Sequence, residues 1–200
     1  LCRSPQSYSL LLLLACLRPD AQLDASLYQD DGAGFGLIRP GIEVLLEDSI
    51  HLVAGRRVGL ITNQTGVDSS GRSSIDRIHE HPDVDLVALF APEHGIRGTA
   101  DPGATIADDV DVETGVPIYS LYGAVLSPTP EMLDGIDVLL VDYQDIGARY
   151  WTYVSTMTLA MESAAEQGIP VVVLDRPNPI GGAVQGNVLD PAFATFVGRY

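Results

Sequence analysis

The chain contains no lysine. Its 11 basic residues are all arginine, against 27 aspartate and glutamate residues, and the formal net charge is −16. A surface this acidic repels phosphate backbones, so the composition argues against nucleic-acid binding. We interpret the charge as an aid to solubility in a salty or acid-tolerant environment rather than as a means of recruiting a cationic partner.

Cysteine is nearly absent as well, since Cys2 and Cys16 are the only two and both lie near the start. The remainder of the chain therefore has no disulfide framework, no thiolate metal site and no cysteine nucleophile. The four histidines do not form a His-x-x-x-His pair. No motif with metal-ligand spacing is present, and we expect no cofactor.

Long apolar runs are also lacking, because the longest near the N-terminus has only about eight apolar residues. A membrane-spanning helix needs roughly 20. Residues 1–16 instead predict an export signal, with Arg3 as its positive start. The sequence LLAC ending at Cys16 resembles a bacterial lipobox, which would make Cys16 a lipid-anchored N-terminus; the alternative is a simple secretory peptide. We therefore expect an exported protein, either periplasmic or anchored in the membrane as a lipoprotein.

The composition changes twice after this signal. Residues 17–39 are polar and glycine-rich and predict a linker, whereas residues 40–200 contain the apolar runs of a folded domain. Within the linker, Gly32–Gly36 has the glycine spacing of a dinucleotide fingerprint, but no strand precedes it. Its context excludes that motif, and a nucleotide-binding protein is the reading we favour least.

Apolar runs and helical patterns alternate from residue 40 onward. Because buried parallel strands are almost continuously apolar, this alternation predicts an α/β fold, a parallel sheet with helices on both faces. A short extended piece that contains Pro117 is predicted to be an edge strand, since proline cannot donate to a sheet ladder. Core strands are predicted at 58–62, 84–90, 137–141 and 170–174, and helices at 42–52, 75–81, 130–133 and 151–167.

Polar side chains follow each core strand. In an open parallel sheet the carboxyl ends of the strands meet at one edge, where ligands bind, so we expect these residues to share a crevice. Glu93 is the candidate general acid, because a carboxyl group at the end of an apolar strand tends to hold its proton. Asp142 and Asp145 offer a second carboxylate, as glycoside hydrolysis requires, although each is also explained as a loop-bracing residue. The strand ends are Asn63 and Gln64, Glu93 and His94, Asp142 to Asp145, and Asp175 to Asn178.

Three other kinds of residue near these ends have open roles. Arg149 and Arg176 could clamp a carboxylate or simply neutralise neighbouring aspartates. Aromatic residues at 143, 150, 151 and 153 suit sugar rings but also suit helix packing. His94 could bind substrate, orient Glu93, or join Asp142 and Asp175 in a metal site.

Four segments resemble the exo-β-N-acetylmuramidase family of peptidoglycan glycoside hydrolases. They are VGLITNQTG (58–66), FAPEHGIRG (90–98), DYQDIGARYWTY (142–153) and DRPNPIGG (175–182). The resemblance implies a Rossmann-like N-terminal domain and a smaller C-terminal domain, with the active site between them. It also implies removal of N-acetylmuramic acid from the non-reducing end of muramate-containing glycans. The family's C-terminal domain is expected to be missing from this chain.

The same resemblance implies roles for individual residues. Glu93 would be the leading catalytic residue. The residues expected to line the sugar subsite are Gln64, His94, Asp142, Gln144, Asp145, Arg149, Tyr150, Asp175, Arg176 and Asn178, to which the strand-end and aromatic patterns add Asn63 and Tyr143. Two alternatives remain open, a non-catalytic exported glycan-binding lipoprotein and a metal-dependent hydrolase.

Overall fold

Six strands form one sheet in this computed structural model, which describes residues 38–93, 95–97 and 109–199. The predicted export signal, nearly all of the predicted linker, and His94 lie outside the described residues. The strands are β1 (Arg57–Thr62), β2 (Asp85–Ala91), β3 (Asp109–Val110), β4 (Pro117–Ser120), β5 (Val138–Asp142) and β6 (Val171–Val173). Their order is β3-β4-β2-β1-β5-β6, and every neighbouring pair is parallel except β3 and β4.

Within the described residues, four α-helices accompany the sheet: α1 (Gly41–Asp48), α2 (Ser74–His79), α3 (Pro130–Leu133) and α4 (Tyr153–Glu166). Local signals start two of them, because the side chains of Ser73 and Thr129 accept N-terminal backbone N–H groups of α2 and α3. The predicted helix at 42–52 is interrupted at Ser49, whose backbone leaves the helical region, and continues as a 3₁₀ turn at Ile50–Leu52. A second 3₁₀ turn covers Pro191–Phe193.

The α/β prediction is confirmed, and so are the four core strands. The edge-strand prediction for the Pro117 segment is wrong, because β4 pairs with β2 on one side and with β3 on the other. Proline is tolerated at the first residue of a strand, where Pro117 lies opposite Val110. The outer strand, β3, is only two residues long and lies in a segment with no apolar pattern.

The core has two parts, one on each face of the sheet. Alternate residues of β5 serve both, with Val138 and Leu140 in one cluster and Leu139 and Val141 in the other. Helices α1 and α2 contribute to the first cluster, whereas α3 and α4 contribute to the second. The sheet is therefore covered by helices on both faces, which explains why its central strands are apolar throughout.

The strand order fixes where the crevice lies. From β1 the chain adds β2, β3 and β4 on one side, and then returns to add β5 and β6 on the other. The direction therefore reverses between β1 and β5, and ligands of open α/β sheets bind at such a point. In the described part of the chain, no helix has both the length and the apolarity to cross a membrane.

Candidate active site

A hydrogen bond joins the carboxyl ends of β1 and β5 at the point where the strand order reverses. Thr62 Oγ1 donates to the backbone oxygen of Asp142 at 2.6 Å. Gly66 packs directly over this bond, since a Cβ there would lie 2.2 Å from Thr62 Oγ1. Only glycine allows the backbone at residue 66 to approach Thr62 and Asp142 this closely.

Asn63 is 2% exposed, and its side-chain orientation is fixed. Its Oδ1 accepts from Thr65 N at 2.9 Å and from Thr65 Oγ1 at 2.6 Å. Because a backbone N–H can only donate, the side-chain atom facing it must be the oxygen. The Nδ2 amide is buried and has no hydrogen-bond partner within the part of the chain that the structure describes. Thr65 Oγ1 in turn accepts from Gln144 N at 2.8 Å, which ties the end of β1 to the loop after β5.

Asp142 is fully buried and forms an ion pair with Arg176. Arg176 donates from Nε to Oδ1 at 2.7 Å and from Nη2 to Oδ2 at 3.0 Å. Ser74 Oγ also donates to Oδ2, and Arg176 Nη2 additionally donates to the backbone oxygen of Val67. These contacts engage both carboxylate oxygens of Asp142 and favour a role in joining β5, α2 and the chain after β6.

Glu93 lies half-buried just after β2. Thr152 Oγ1 donates to its Oε2 over a long distance of 3.5 Å. Thr152 is the N-cap residue of α4, but its side chain forms no capping hydrogen bond. Its hydroxyl lies near Glu93 instead, so the start of α4 borders the carboxylate at the end of β2.

Tyr153 connects Glu93 with Asp145. Burial is the main cause that raises the pKa of the Tyr153 hydroxyl, and the negative charges of Glu93 and Asp145 raise it further. The neighbouring Asn63 side chain opposes this rise and acts to lower the pKa of the hydroxyl. The hydroxyl therefore stays protonated at neutral pH, with carboxylates from β2 and β5 both within electrostatic reach.

An aromatic cluster surrounds this tyrosine. Tyr143 donates its hydroxyl to the backbone oxygen of Tyr153 at 2.8 Å, and their ring centroids are 4.9 Å apart. Burial raises the pKa of Tyr143 far above its ordinary value. Trp151 meets Tyr153 edge-on at 5.4 Å, and its buried Nε1 has no hydrogen-bond partner. Tyr143 and Tyr153 are thus packing residues at the wall of the site, whereas Tyr150 is 71% exposed.

Asp145 has two differently placed oxygens. Its Oδ1 accepts from Gly147 N at 2.6 Å, whereas Oδ2 is buried without a hydrogen-bond partner. The residue also lines two cavities. One of about 340 Å³ is shared with Arg149 and Asn178, and one of about 160 Å³ with Asp175, Arg176 and Asn178.

The remaining predicted residues brace the loops around these cavities. Gln144 Nε2 donates to the backbone oxygens of Asp145 and Pro177. Arg149 Nη2 donates to the backbone oxygen of Asn187 at 2.9 Å. Asp175 Oδ1 accepts from Arg176 N and Asn178 Oδ1 from Ile180 N, while Gln64 is exposed.

The structure thus brings Asn63, Glu93, Gln144 and Asp145 around the point where the strand order reverses. Arg149, Asp175 and Asn178 lie around the adjoining cavities. Sequence reasoning missed the contacts of Ser74, Thr65 and Thr152, whose residue types carry no local signal for these roles. Across the part of the chain that the structure describes, no three His, Cys, Asp or Glu side chains are grouped to hold a metal ion.

These features define a Rossmann-like α/β domain whose crevice contains two carboxylates. A sequence model described as exo-beta-N-acetylmuramidase NamZ, N-terminal, matches residues 58–200. The chain therefore belongs to this family and corresponds to its N-terminal part.

Individual relatives agree with this membership. The chain is 52% identical over 164 residues to the peptidoglycan beta-N-acetylmuramidase NamZ of Bacillus subtilis, a match that covers 82% of this chain and 40% of that protein. Two crystal structures of DUF1343 family proteins from Bacteroides fragilis are also similar. One has a TM-score of 0.75 and 53% identity, and covers 81% of this chain and 41% of that one. The other has a TM-score of 0.67 and 33% identity, and covers 80% of this chain and 40% of that one. The chain thus spans about 40% of the length of these relatives.

Proposed function

We propose that the full-length protein is an exo-acting glycoside hydrolase that removes terminal N-acetylmuramic acid from the non-reducing end of peptidoglycan fragments. One observation carries this proposal. Glu93, half-buried after β2, and Asp145, which follows β5 and lines two cavities, lie at the ends of the two strands that flank β1. Glycoside hydrolysis ordinarily requires two carboxyl groups whose different surroundings give them different pKa values. Family membership and the activity named for the Bacillus subtilis relative support the substrate class.

Glu93 is the proposed general acid. It is half-buried at the end of an apolar strand and is held by the Thr152 hydroxyl, a contact that leaves one carboxyl oxygen for the substrate. In this role Glu93 protonates the glycosidic oxygen as the bond to the leaving sugar breaks. Its position next to the first turn of α4 keeps the carboxyl group in one place.

Asp145 is the proposed second carboxylate in preference to Asp142. Both oxygens of Asp142 are occupied by Arg176 and Ser74, and the residue is fully buried. Asp145 has one oxygen without a partner and lines two cavities. Only Asp145 can therefore receive a new hydrogen bond without the loss of an existing ion pair.

Arg149 is the proposed partner of the lactyl carboxylate that distinguishes muramate from glucosamine. Its guanidinium group lines the cavity of about 340 Å³ and, among residues 38–93, 95–97 and 109–199, makes a single hydrogen bond, to a backbone oxygen. Arg176, by contrast, is occupied by Asp142. A planar guanidinium group binds a carboxylate with two parallel hydrogen bonds, so one available arginine is sufficient.

Product analysis tests the activity. The full-length protein, which we also propose is exported, is incubated with a disaccharide that carries N-acetylmuramic acid at its non-reducing end. Release of free N-acetylmuramic acid, unaffected by a chelator, is the expected result. Saturable binding of the disaccharide without release would indicate a glycan-binding protein instead. Activity that is lost in chelator and restored by a divalent ion would indicate a metal-dependent hydrolase.

A further inference from the structure

Three buried polar atoms that have no hydrogen-bond partner among the described residues belong to side chains around Tyr153. They are Asn63 Nδ2, Asp145 Oδ2 and Trp151 Nε1. Buried polar groups are nearly always paired, because an unpaired one loses its hydration without compensation. Three such groups around one side chain need an explanation, and a ligand that pairs with all of them provides one.

Their common location rests on separate contacts with Tyr153. The Trp151 ring packs edge-on against the Tyr153 ring with centroids 5.4 Å apart. Tyr153 also packs against Tyr143, with centroids 4.9 Å apart, and Tyr143 lines the cavity of about 160 Å³ together with Asp145. Asn63 and Asp145 are also linked to each other, through Thr65 and the backbone N–H of Gln144.

The chemistry of the three atoms is specific. Asn63 Nδ2 and Trp151 Nε1 can only donate, whereas the ionised Asp145 Oδ2 can only accept. A secondary amide presents the complement, a carbonyl oxygen with two lone pairs and a single N–H. Tyr143 and Val154 line the cavity of about 160 Å³ beside Asp145 and add apolar surface for a methyl group. The two donors therefore match the carbonyl oxygen of an acetamido group, the acceptor matches its N–H, and the apolar wall matches its methyl group.

We propose that Asn63, Asp145 and Trp151 form a subsite for the acetamido group of the sugar. In this subsite Asn63 Nδ2 and Trp151 Nε1 donate to the acetamido oxygen, and Asp145 Oδ2 accepts from the acetamido N–H. The inference rests on the proposed function for the identity of the sugar, and it adds how the site selects an N-acetylated substrate. Trp151 is then a specificity-determining residue. Asp145, the proposed second carboxylate, contacts the sugar through the acetamido N–H.

Binding measurements test this subsite independently of turnover. The full-length protein is titrated calorimetrically with N-acetylmuramic acid and with 3-O-lactylglucose, which carries a hydroxyl group in place of the acetamido group. The wild-type protein should bind the N-acetylated sugar at least about tenfold more tightly, because the analogue leaves buried polar atoms unpaired.

Two variants separate the hydrogen bonds from packing. Trp151→Phe removes Nε1 but keeps an aromatic ring, and should weaken N-acetylmuramic acid binding about three- to tenfold. Asp145→Asn keeps an oxygen for Gly147 N but offers a donor to the acetamido N–H, and should weaken it by tenfold or more. Neither should change 3-O-lactylglucose binding by more than about twofold. Tyr119→Phe, which alters an aromatic residue packed on Phe90, is the control and should leave both affinities unchanged.

The outcomes are distinguishable. Equal affinity of the wild-type protein for the two sugars, or equal losses on both in the variants, would overturn the subsite even if the protein cleaves its disaccharide. Absence of binding to either sugar would overturn it as well. A protein that prefers the N-acetylated sugar and loses that preference in the variants, yet releases no product, would keep the subsite and reject the glycosidase function.

Discussion

Asp142 and Arg176 form a buried ion pair that connects the end of β5 to the chain just after β6. Two parallel hydrogen bonds join them, at 2.7 and 3.0 Å, and the Asp142 side chain has no exposed surface. Arg176 also donates to Val67 O, so this single guanidinium group holds three segments of the chain. Removal of one partner of such a pair leaves an uncompensated buried charge.

We expect Arg176→Met to reduce the free energy of unfolding of the full-length protein by about 3–5 kcal/mol, because Asp142 stays buried without its counter-charge. Chemical denaturation measures this loss. Arg72→Met is the matched control, because Arg72 pairs with Glu80 on the surface and exposed pairs contribute little. A loss for Arg176→Met no larger than that for Arg72→Met would show that the Asp142 pair is not structural.

Glu93→Gln should lower turnover of a muramate disaccharide by about 100-fold or more and leave the melting temperature close to that of the wild type. Glutamine keeps the size of the side chain and its acceptor for Thr152 Oγ1, but it cannot supply the proton. Steady-state kinetics and thermal unfolding of the full-length protein measure the two quantities. Near-normal turnover would remove Glu93 from the acid role.

Thr152→Val tests whether the start of α4 positions that carboxylate. Valine has the shape of threonine without its hydroxyl, so we expect a fall in kcat of about tenfold with KM nearly unchanged. Thr152→Ser restores the hydroxyl and should recover most of the activity. If valine and serine variants lose activity equally, the hydroxyl does not act on Glu93.

The sheet could be predicted from the sequence because β1, β2 and β5 have no charged residue between their end residues, a pattern typical of buried parallel strands. The site could be predicted only as a set of strand ends. The Ser74 contact with Asp142 spans 68 residues and the Thr152 contact with Glu93 spans 59. The local sequence around these serine and threonine residues predicts helix caps. Their distant partners can be identified only from the three-dimensional structure.

The two arginines that the sequence could not distinguish are separated by their contacts. Arg176 is occupied by a buried aspartate, whereas Arg149 lines a cavity. We therefore expect Arg149→Ala to weaken binding of muramate substrates about tenfold or more, and binding of N-acetylglucosamine analogues, which lack the lactyl carboxylate, less than twofold. Inhibition constants for the two sugars measure this difference. Equal losses for both would show that Arg149 does not contact the lactyl group.

A second, partly exposed ion pair lies at the opposite end of the sheet and should make a small, acid-sensitive contribution to stability but none to activity. Arg57 donates to Asp137 from its backbone N at 2.9 Å and from Nε and Nη2 at 3.2 and 2.9 Å. These hydrogen bonds, first among them those of the Arg57 side chain, lower the pKa of Asp137 from 3.8 to about 2. A carboxyl group with a lowered pKa stabilises the fold fully above its ordinary value, and that contribution is lost as the pH falls through about 2.

Asp137→Asn should therefore be less stable than the wild type above about pH 4, and the two stabilities should converge as the pH falls towards 2. Denaturation of the full-length protein across this range measures the difference, and NMR titration of the Asp137 carboxyl group measures its pKa directly. Glu166→Gln, an exposed change on α4, is the control and should follow the wild-type profile. A stability difference for Asp137→Asn that stays constant down to pH 2 would show that the Arg57 pair does not lower this pKa. Activity near neutral pH should be unaffected, because the pair lies at the other end of the sheet from Glu93.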